Sequence, residues 1–333
     1  MTPDENGIRI GGGPASEAVQ LAVVEASARL KTKEAGTQLF AHFQATNTPT
    51  AVKRSIVGAL ASLNAGQVSE AVRLALDSAS LRSAAVPHLD RLDGGDSVGL
   101  LSNLVAQAKS PEGIQTAQVA LGVLGRIGSE GALPALGEFT RRLHARNWPK
   151  ALELDLREAV LKTALSNSLA VPRHQPGAQM VLAGYSDCLE GGDATKGRRV
   201  FRENPTVQCL RCHQVAGEGG IVGPKLDGVG KRQTRESLLQ SVVWPNLQIA
   251  AGFETVALTL KDGGTVLGIL KSEADGVLTV EVTGDDGIPS PHPVVGTTVV
   301  KRERGPSAMP EGLAEQLNPF DLRDLVEYLA SLK

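Results

Sequence analysis

Cys209-Leu210-Arg211-Cys212-His213 decides how this sequence of 333 residues is read. Two thiols three residues apart, with a histidine directly after the second, have the spacing of a covalent haem attachment, in which both sulfurs bond the porphyrin vinyl groups and the imidazole takes the iron. One turn of helix from Cys209 to Cys212 brings both sulfurs to one porphyrin edge and lets His213 swing under the metal. Other uses of two close cysteines fare worse. Cys188 is the only other cysteine, so a zinc site of four thiolates is impossible, and the neighbours Cys212 and His213 are poorly placed for two corners of one tetrahedron. A dithiol redox motif does not call for the trailing histidine and expects a βαβ pattern that is missing here.

The flanking residues carry a resemblance. Gly192-Asp193-Ala194-Thr195-Lys196-Gly197-Arg198-Arg199-Val200-Phe201 precedes the motif, Gly223-Pro224-Lys225-Leu226 follows it, and Met309-Pro310 stands before a C-terminal amphipathic helix. In these features the chain resembles a class I cytochrome c. More narrowly, it is similar to the haem-binding domain family of planctomycetes and verrucomicrobia, in which a cytochrome c domain follows helical repeats. The likeness covers about the last 150 residues. It implies one haem c bound through Cys209 and Cys212, with His213 and Met309 as iron ligands. It further implies that the Gly223-Pro224 carbonyl holds the proximal imidazole and that Leu226 presses on the haem face.

Elementary chemistry supports these transfers. A metal-bound histidine donates its second ring N–H to a carbonyl or carboxylate, and a rigid Gly-Pro turn shortly after His213 is a suitable acceptor. Thioether sulfur is a soft, neutral ligand that favours reduced iron. Met1, Met180 and Met309 are the three methionines. Met1 is terminal and Met180 precedes the cytochrome segment, which leaves Met309. His292, in the stiff, turn-like stretch Pro289-Ser290-Pro291-His292-Pro293 read as a surface loop, stays open as the alternative sixth ligand.

Composition bounds the rest. The length suits two or three domains, and a hydrophobic fraction of 41% supports sizeable cores. A formal net charge of −2 calls for neither nucleic acid nor an anionic membrane. Aromatic content of 3% suits an Ala/Leu-rich helical array better than an aromatic β-sandwich. No apolar run is long enough to span a membrane. The start, Met1-Thr2-Pro3-Asp4-Glu5-Asn6-Gly7, lacks the basic and apolar regions of a secretion signal. In bacteria that make proteins of the resembled kind, covalent haem is attached outside the cytoplasmic membrane. The expectation is therefore an exported, periplasmic or equivalent chain that is a fragment or mature piece of a longer precursor, with residues 1–14, including Gly11-Gly12-Gly13-Pro14, as a linker.

The expected fold is multidomain and mainly α: an N-terminal HEAT-like α-solenoid over 15–166, a connector over 167–190, and a class I cytochrome c-like helical domain over 191–333. Ile56, Leu60 and Leu63 follow the 4,3 spacing of one helical face, and Ala120, Leu124 and Ile127 repeat it, each set closed by Asn64 or Gly128. Helix pairs are expected to begin near Ala15, Thr50, Leu81 and Glu112, with a last helix near 150–165. Such an array is a docking surface for a protein partner, a spacer, or a platform without a ligand of its own. His42, His88 and His144 lack metal spacing, and Asp93-Gly94-Gly95-Asp96 reads as a turn. Pro172, Pro176 and Gly177 punctuate the connector, where Met180, Val181, Leu182 and Tyr185 pack it down and Cys188 reads as a small buried hydrophobe.

The cytochrome segment starts with a helix capped near Asp193, on which Gly197 and Phe201 share one face. Asn318-Pro319-Phe320-Asp321 opens the terminal helix, with Leu322, Leu325, Leu329 and Leu332 as its apolar stripe. The resemblance adds that Leu325 and Tyr328 cross the first helix at Gly197 and Phe201, closing the fold around the porphyrin, so that Phe201 counts among the cofactor-binding residues. A helix from Thr234 to about Val243 offers Leu238, Leu239, Val242 and Val243 to that core before Trp244-Pro245 stops it. Trp244 either lines the haem edge, with its N–H free to meet a propionate, or packs in the core. Between 253 and 304 the pattern alternates. Thr255–Leu260, Val266–Leu270, Val277–Val282 and Thr297–Lys301 read as strands of an inserted antiparallel sheet, separated by Asp262-Gly263-Gly264, Asp275-Gly276 and Asp285-Asp286-Gly287.

These features point to an electron-transfer module rather than an enzyme in its own right. It would pass single electrons from a periplasmic dehydrogenase domain or partner, often fused upstream in the resembled family, to another redox carrier. The alternatives are a haem sensor or peroxidase-like enzyme with a labile sixth ligand, and a helical interaction scaffold. Arg198, Arg199, Arg202, Arg211, Lys225, Lys231 and Arg232 form either a collar that steers an acidic redox partner or a solvated face offset by Glu203, Glu218 and Asp227.

Overall fold

The computed structural model describes residues 16–92, 96–166, 184–284 and 288–333. The segment read as a linker (1–14), the Asp93-Gly94-Gly95 turn, the connector residues Pro172, Pro176, Gly177, Met180, Val181 and Leu182, and the Asp285-Asp286-Gly287 turn lie outside them. The chain divides into two compact units, Met1–Trp148 with Asp155–Ala170, and Pro149–Leu154 with Val171–Lys333.

Among its described residues the first unit is helical, and its helices follow the apolar spacing. α1 (Glu17–Leu30) and α2 (Lys33–Gln44) start at Ser16 and Thr32, whose side-chain oxygens accept from Val19 N–H and Ala35 N–H. α3 (Thr50–Ser62) and α4 (Val68–Asp77) follow, then α7 (Pro111–Ile127) and α8 (Ser129–His144). Ile56, Leu60, Ala120 and Leu124 are fully buried. Asn64 and Gly128, which close α3 and α7, both take positive φ, 52° and 80°. That left-handed turn-off costs glycine nothing and asparagine little. The third pair departs from a simple helix pair. α5 (Arg82–Ala85) is four residues long and tightens into a 3-10 stretch, Val86–Arg91, before α6 (Ser97–Ala106). Pro87 is the reason: it has no N–H for an α-helical bond, and its ring crowds the preceding turn. α9 (Glu153–Leu161) comes last, and the first unit takes it from Asp155 onward.

The second unit combines helices with sheet. α10 (Ala194–Glu203) is capped by Asp193, which accepts from Thr195 and Lys196 N–H. α11 (Cys209–Cys212) holds the two thiols, α12 (Val229–Arg232) is a single turn, α13 (Arg235–Val243) is capped by Thr234, and α14 (Pro319–Ser331) is capped by Asn318. α10 and α14 cross at their backbones. A Cβ added to Gly197 would lie 1.8 Å from the Asp324 carbonyl oxygen. One turn on, the Phe201 and Tyr328 rings meet at 5.6 Å between centroids, tilted by 51°, a favourable aromatic geometry. At the crossing Gly197 faces the Asp324 backbone carbonyl and Tyr328 Cβ, and Leu325, like Phe201, lines the cavity described below. Phe201, 1% exposed, contributes about 2 kcal/mol by its burial.

β1 (Gln214–Val215) and β2 (Glu218–Gly219) form a short ribbon after α11. The other strands form one antiparallel sheet: β3 (Thr255–Leu260), β4 (Thr265–Ala274), β5 (Val277–Thr283), β6 (Pro289–Val295) and β7 (Val299–Arg304), in the order β6-β5-β4-β3-β7. Laid flat, edges β6 and β7 would stand about 19 Å apart, yet only Gly296–Thr298 joins them, a reach of about 14 Å from Val295 to Val299. The sheet must therefore curl. Bulges at Thr259/Leu260 and Leu270/Ser272 supply the bend, and Leu258 and Val280 are fully buried inside it.

One expectation is corrected here. The stretch Pro289-Ser290-Pro291-His292-Pro293, read as a loop, is part of β6 and pairs with β5 from Pro289 to Val295. β6 is an edge strand, where alternate N–H groups have no neighbour to bond, and prolines at every second position are tolerated. Proline content hid the strand.

Candidate functional site

The site is built by the chain's return after α11. Gln208 at φ 42° starts the turn of helix, whose end at His213 is extended. β1 and β2 then reverse the chain through Ala216 and Gly217, both at positive φ, the hairpin geometry that matches strand twist. Gly220 N–H donates to Leu210 C=O at 3.0 Å, Gly223 N–H to Cys212 C=O at 2.8 Å, and Leu226 N–H to Gln214 C=O at 3.0 Å. Asp227 Oδ1 accepts from Ala216 N–H at 2.7 Å. Gly220 has no room for a side chain, since a Cβ there would sit 1.9 Å from Arg211 O. These bonds fold residues 214–227 tightly against the motif.

The result is a cavity of about 320 Å³ lined by Cys209, Cys212, His213, Gly223, Pro224, Leu226, Phe201 and Met309. The structure thus brings eight of the nine residues singled out for the cofactor to one space. Trp244 is not among the lining residues; its neighbour Pro245 is. Trp244 caps α13 with φ −144° and ψ 75°, since the following proline keeps it out of the helical region. Phe253 is the aromatic residue that lines the cavity in its place. His292 lies exposed on β6 and is not a lining residue. Among the described residues no group of three or more His, Cys, Asp or Glu side chains is arranged to hold a metal ion.

The imidazole is fixed by one bond. His213 Nδ1 stands 2.9 Å from Pro224 O. A carbonyl only accepts, so Nδ1 carries the proton and Nε2 keeps its lone pair. Burial holds the His213 pKa below its ordinary value against the opposing pull of the Pro224 carbonyl, which keeps the ring neutral and able to bind a metal. Gly223 is its floor: a Cβ there would lie 2.6 Å from Cε1 and 2.8 Å from Nδ1. Burial, with a smaller push from Cys212, raises the Cys209 thiol to about 11. Redox-active dithiols work the other way, through a depressed thiol.

Of the basic residues around the motif, Lys225 and Arg232 line the cavity. Arg232 donates to Asp227 C=O at 2.8 Å, and Arg202 is engaged by Glu218. Cys188 is fully buried, with Sγ 3.5 Å from Pro319 O. Two contributors escape a reading of the motif alone: Gly220 and Asp227. The run Gly217-Glu218-Gly219-Gly220 signals a tight reversal, whereas Asp227 acts by accepting from Ala216 N–H across the hairpin, a contact that its immediate neighbours do not signal.

Two thiols, a neutral imidazole with a defined tautomer and a thioether around one largely apolar space fit a covalently held haem, and no other group needs that set. The cytochrome c family model matches residues 194–257, which take in α10, the motif, Gly223-Pro224 and α13 and end within β3. The chain therefore carries a cytochrome c domain there, which implies covalent haem c and a haem-containing electron carrier. The match reaches neither Met309 nor the N-terminal helices. A search of the curated proteins found no match. Among the described residues no helix is long and apolar enough to cross a membrane.

Proposed function

We propose that this chain is a one-electron transfer module. Cys209 and Cys212 would hold a single haem c covalently, and His213 and Met309 would ligate its iron. The observation that carries this reading is the convergence of both thiols, the His213 ring and Met309 on one cavity, with His213 Nδ1 bonded to Pro224 O. The haem supplies reversible exchange of one electron between ferric and ferrous iron. The chain's own residues do the rest. Cys209 and Cys212 tether it, and the Pro224 carbonyl holds the imidazole in the binding tautomer. Gly223 lets the backbone close under the ring, and Leu226, Val242 and Leu325 keep the space apolar.

His213 and Met309 would both be committed to holding the iron, which would leave no site for substrate, and the chain would work as a carrier rather than an enzyme. Electrons come from a dehydrogenase domain or partner and leave to a second redox protein in an extracytoplasmic compartment where haem is attached. Residues 15–166 are a HEAT-like array and 191–333 the haem domain, with an inserted sheet in the latter, as in the resembled haem-binding family of planctomycetes and verrucomicrobia.

The test is direct. Protein matured in an export-competent host keeps haem on a denaturing gel, and Cys209→Ser with Cys212→Ser abolishes that stain. The ferric spectrum of the parent carries the weak long-wavelength sulfur-to-iron band. A clean gel overturns the whole reading. A high-spin spectrum with rapid CO binding transfers the chain to the sensor or peroxidase-like class.

A further inference from the structure

The loop that carries Met309 starts where β7 ends at Arg304 and reaches the cavity without regular secondary structure. At its entry it is tied to the sheet: Gly305 N–H donates to Thr255 C=O at 2.9 Å, and the Thr255 hydroxyl donates to Pro306 C=O. Closer to the methionine, one side chain outside the loop takes over. Asn246 Oδ1 accepts from Ser307 N–H at 2.6 Å, and its Nδ2 donates to Glu311 Oε1. Ser307 Oγ in turn accepts from Met309 N–H at 3.1 Å.

Asn246 therefore grips the loop two residues before Met309 and two residues after it. Its own backbone is held in place, because Pro245 is buried and forms part of the cavity wall. We propose that Asn246 is a positioning residue for Met309, clamping residues 307 and 311 so that the thioether is presented to the iron without first ordering the loop. The inference rests on the reading of Met309 as sixth ligand.

The chemistry explains why the residue is asparagine. The grip needs one acceptor and one donor on a short, planar group, facing a backbone N–H on one side and a carboxylate on the other. Aspartate keeps the first bond and sets a carboxylate against Glu311. A neutral thioether is a weak ligand, and a loose loop would lose conformational entropy each time it bound. Clamping the loop beforehand removes that loss, the usual gain from preorganisation.

Three holoproteins test this through binding of added imidazole to ferric protein, followed by loss of the sulfur-to-iron band. Asn246→Asp is expected to raise the apparent imidazole affinity about tenfold. The double variant Asn246→Asp with Glu311→Gln restores the bond with its direction reversed, since the glutamine amide now donates to the carboxylate introduced at position 246, and returns the affinity to within about twofold of the parent. A residue that merely supported the fold would not be rescued by a partner change. Should Asn246→Asp yield no holoprotein, Glu311→Ala removes one tether at an exposed residue and is expected to raise the affinity about threefold. Unchanged affinity in the available single variant, or a double variant no closer to the parent than Asn246→Asp, overturns the clamp while leaving the ligand assignment intact. A parent without the sulfur-to-iron band removes both.

Discussion

Gly197→Ala is the sharpest test of the helix crossing. The added Cβ would stand 1.8 Å from the Asp324 carbonyl oxygen, 2.4 Å from its carbonyl carbon and 2.8 Å from Tyr328 Cβ. The first two are backbone atoms in the middle of α14, so no side-chain rotation relieves the clash. Reaching even 3.0 Å requires α14 to retreat from α10 by about 1.2 Å, the difference from 1.8 Å. Asp193 N–H donates to Asp324 Oδ1 at 2.8 Å, and such a retreat breaks that bond. Overpacking costs about 1–3 kcal/mol, and a lost hydrogen bond to a charged group about 1.5–3 kcal/mol more, so a loss of about 3 kcal/mol or more is expected. Urea unfolding of the holoprotein by circular dichroism and tryptophan fluorescence measures it. Gly122→Ala is the control. Gly122 lies in the interior of α7 with nothing within 4 Å of the added carbon, and alanine there should stabilise by about 0.5–1 kcal/mol. A Gly197→Ala protein within about 0.5 kcal/mol of the parent, well below the overpacking range, would refute the backbone crossing.

Three further perturbations follow from the same unit. Gly223→Ala places a carbon 2.6 Å from the His213 ring, which forces the imidazole off the Pro224 carbonyl; the ferric spectrum should shift toward high spin, and an unchanged spectrum would contradict the floor assigned to Gly223. Burial raises the Asp324 pKa above its ordinary 3.8 despite the Asp193 N–H, so the folded state binds the proton more tightly and stability falls as pH rises from near 3.8 through the folded value; Asp324→Asn should lose that fall and match or exceed the parent at neutral pH, as urea midpoints across pH would show. Arg235 grips Glu327 through two bonds of 2.6 and 2.9 Å between α13 and α14; with the Arg235 side chain 35% exposed, Glu327→Gln should cost about 1 kcal/mol after screening, and the difference should shrink in high salt.

Much of the site was legible because its chemistry is local. The two thiols, the histidine and Gly223-Pro224 lie within 16 residues, and their spacing states what they hold. Helix ends were equally readable: Asp193, Thr234 and Asn318 each place a side-chain oxygen where the first N–H groups need one. β6 was not readable, because proline is compatible with a strand only at an edge, and edge position is a property of the sheet. Whether Trp244 lines the haem edge or packs in the core is likewise not legible, because a helix period does not say which way the chain turns once the helix has stopped.

What the amino-acid order determines by itself is therefore the cofactor chemistry, the helical character of the N-terminal half and the alternation from 253 to 304, since motif spacing and hydrophobic period act over a few residues. Tertiary structure alone decides that Gly197 meets the Asp324 carbonyl, that the edges of the sheet approach each other, and that Met309, 96 positions beyond His213, reaches the same cavity. It also decides that Asn246 grips both sides of the methionine. These are contacts between residues far apart in sequence, and only the balance of packing against chain entropy over the whole unit selects them.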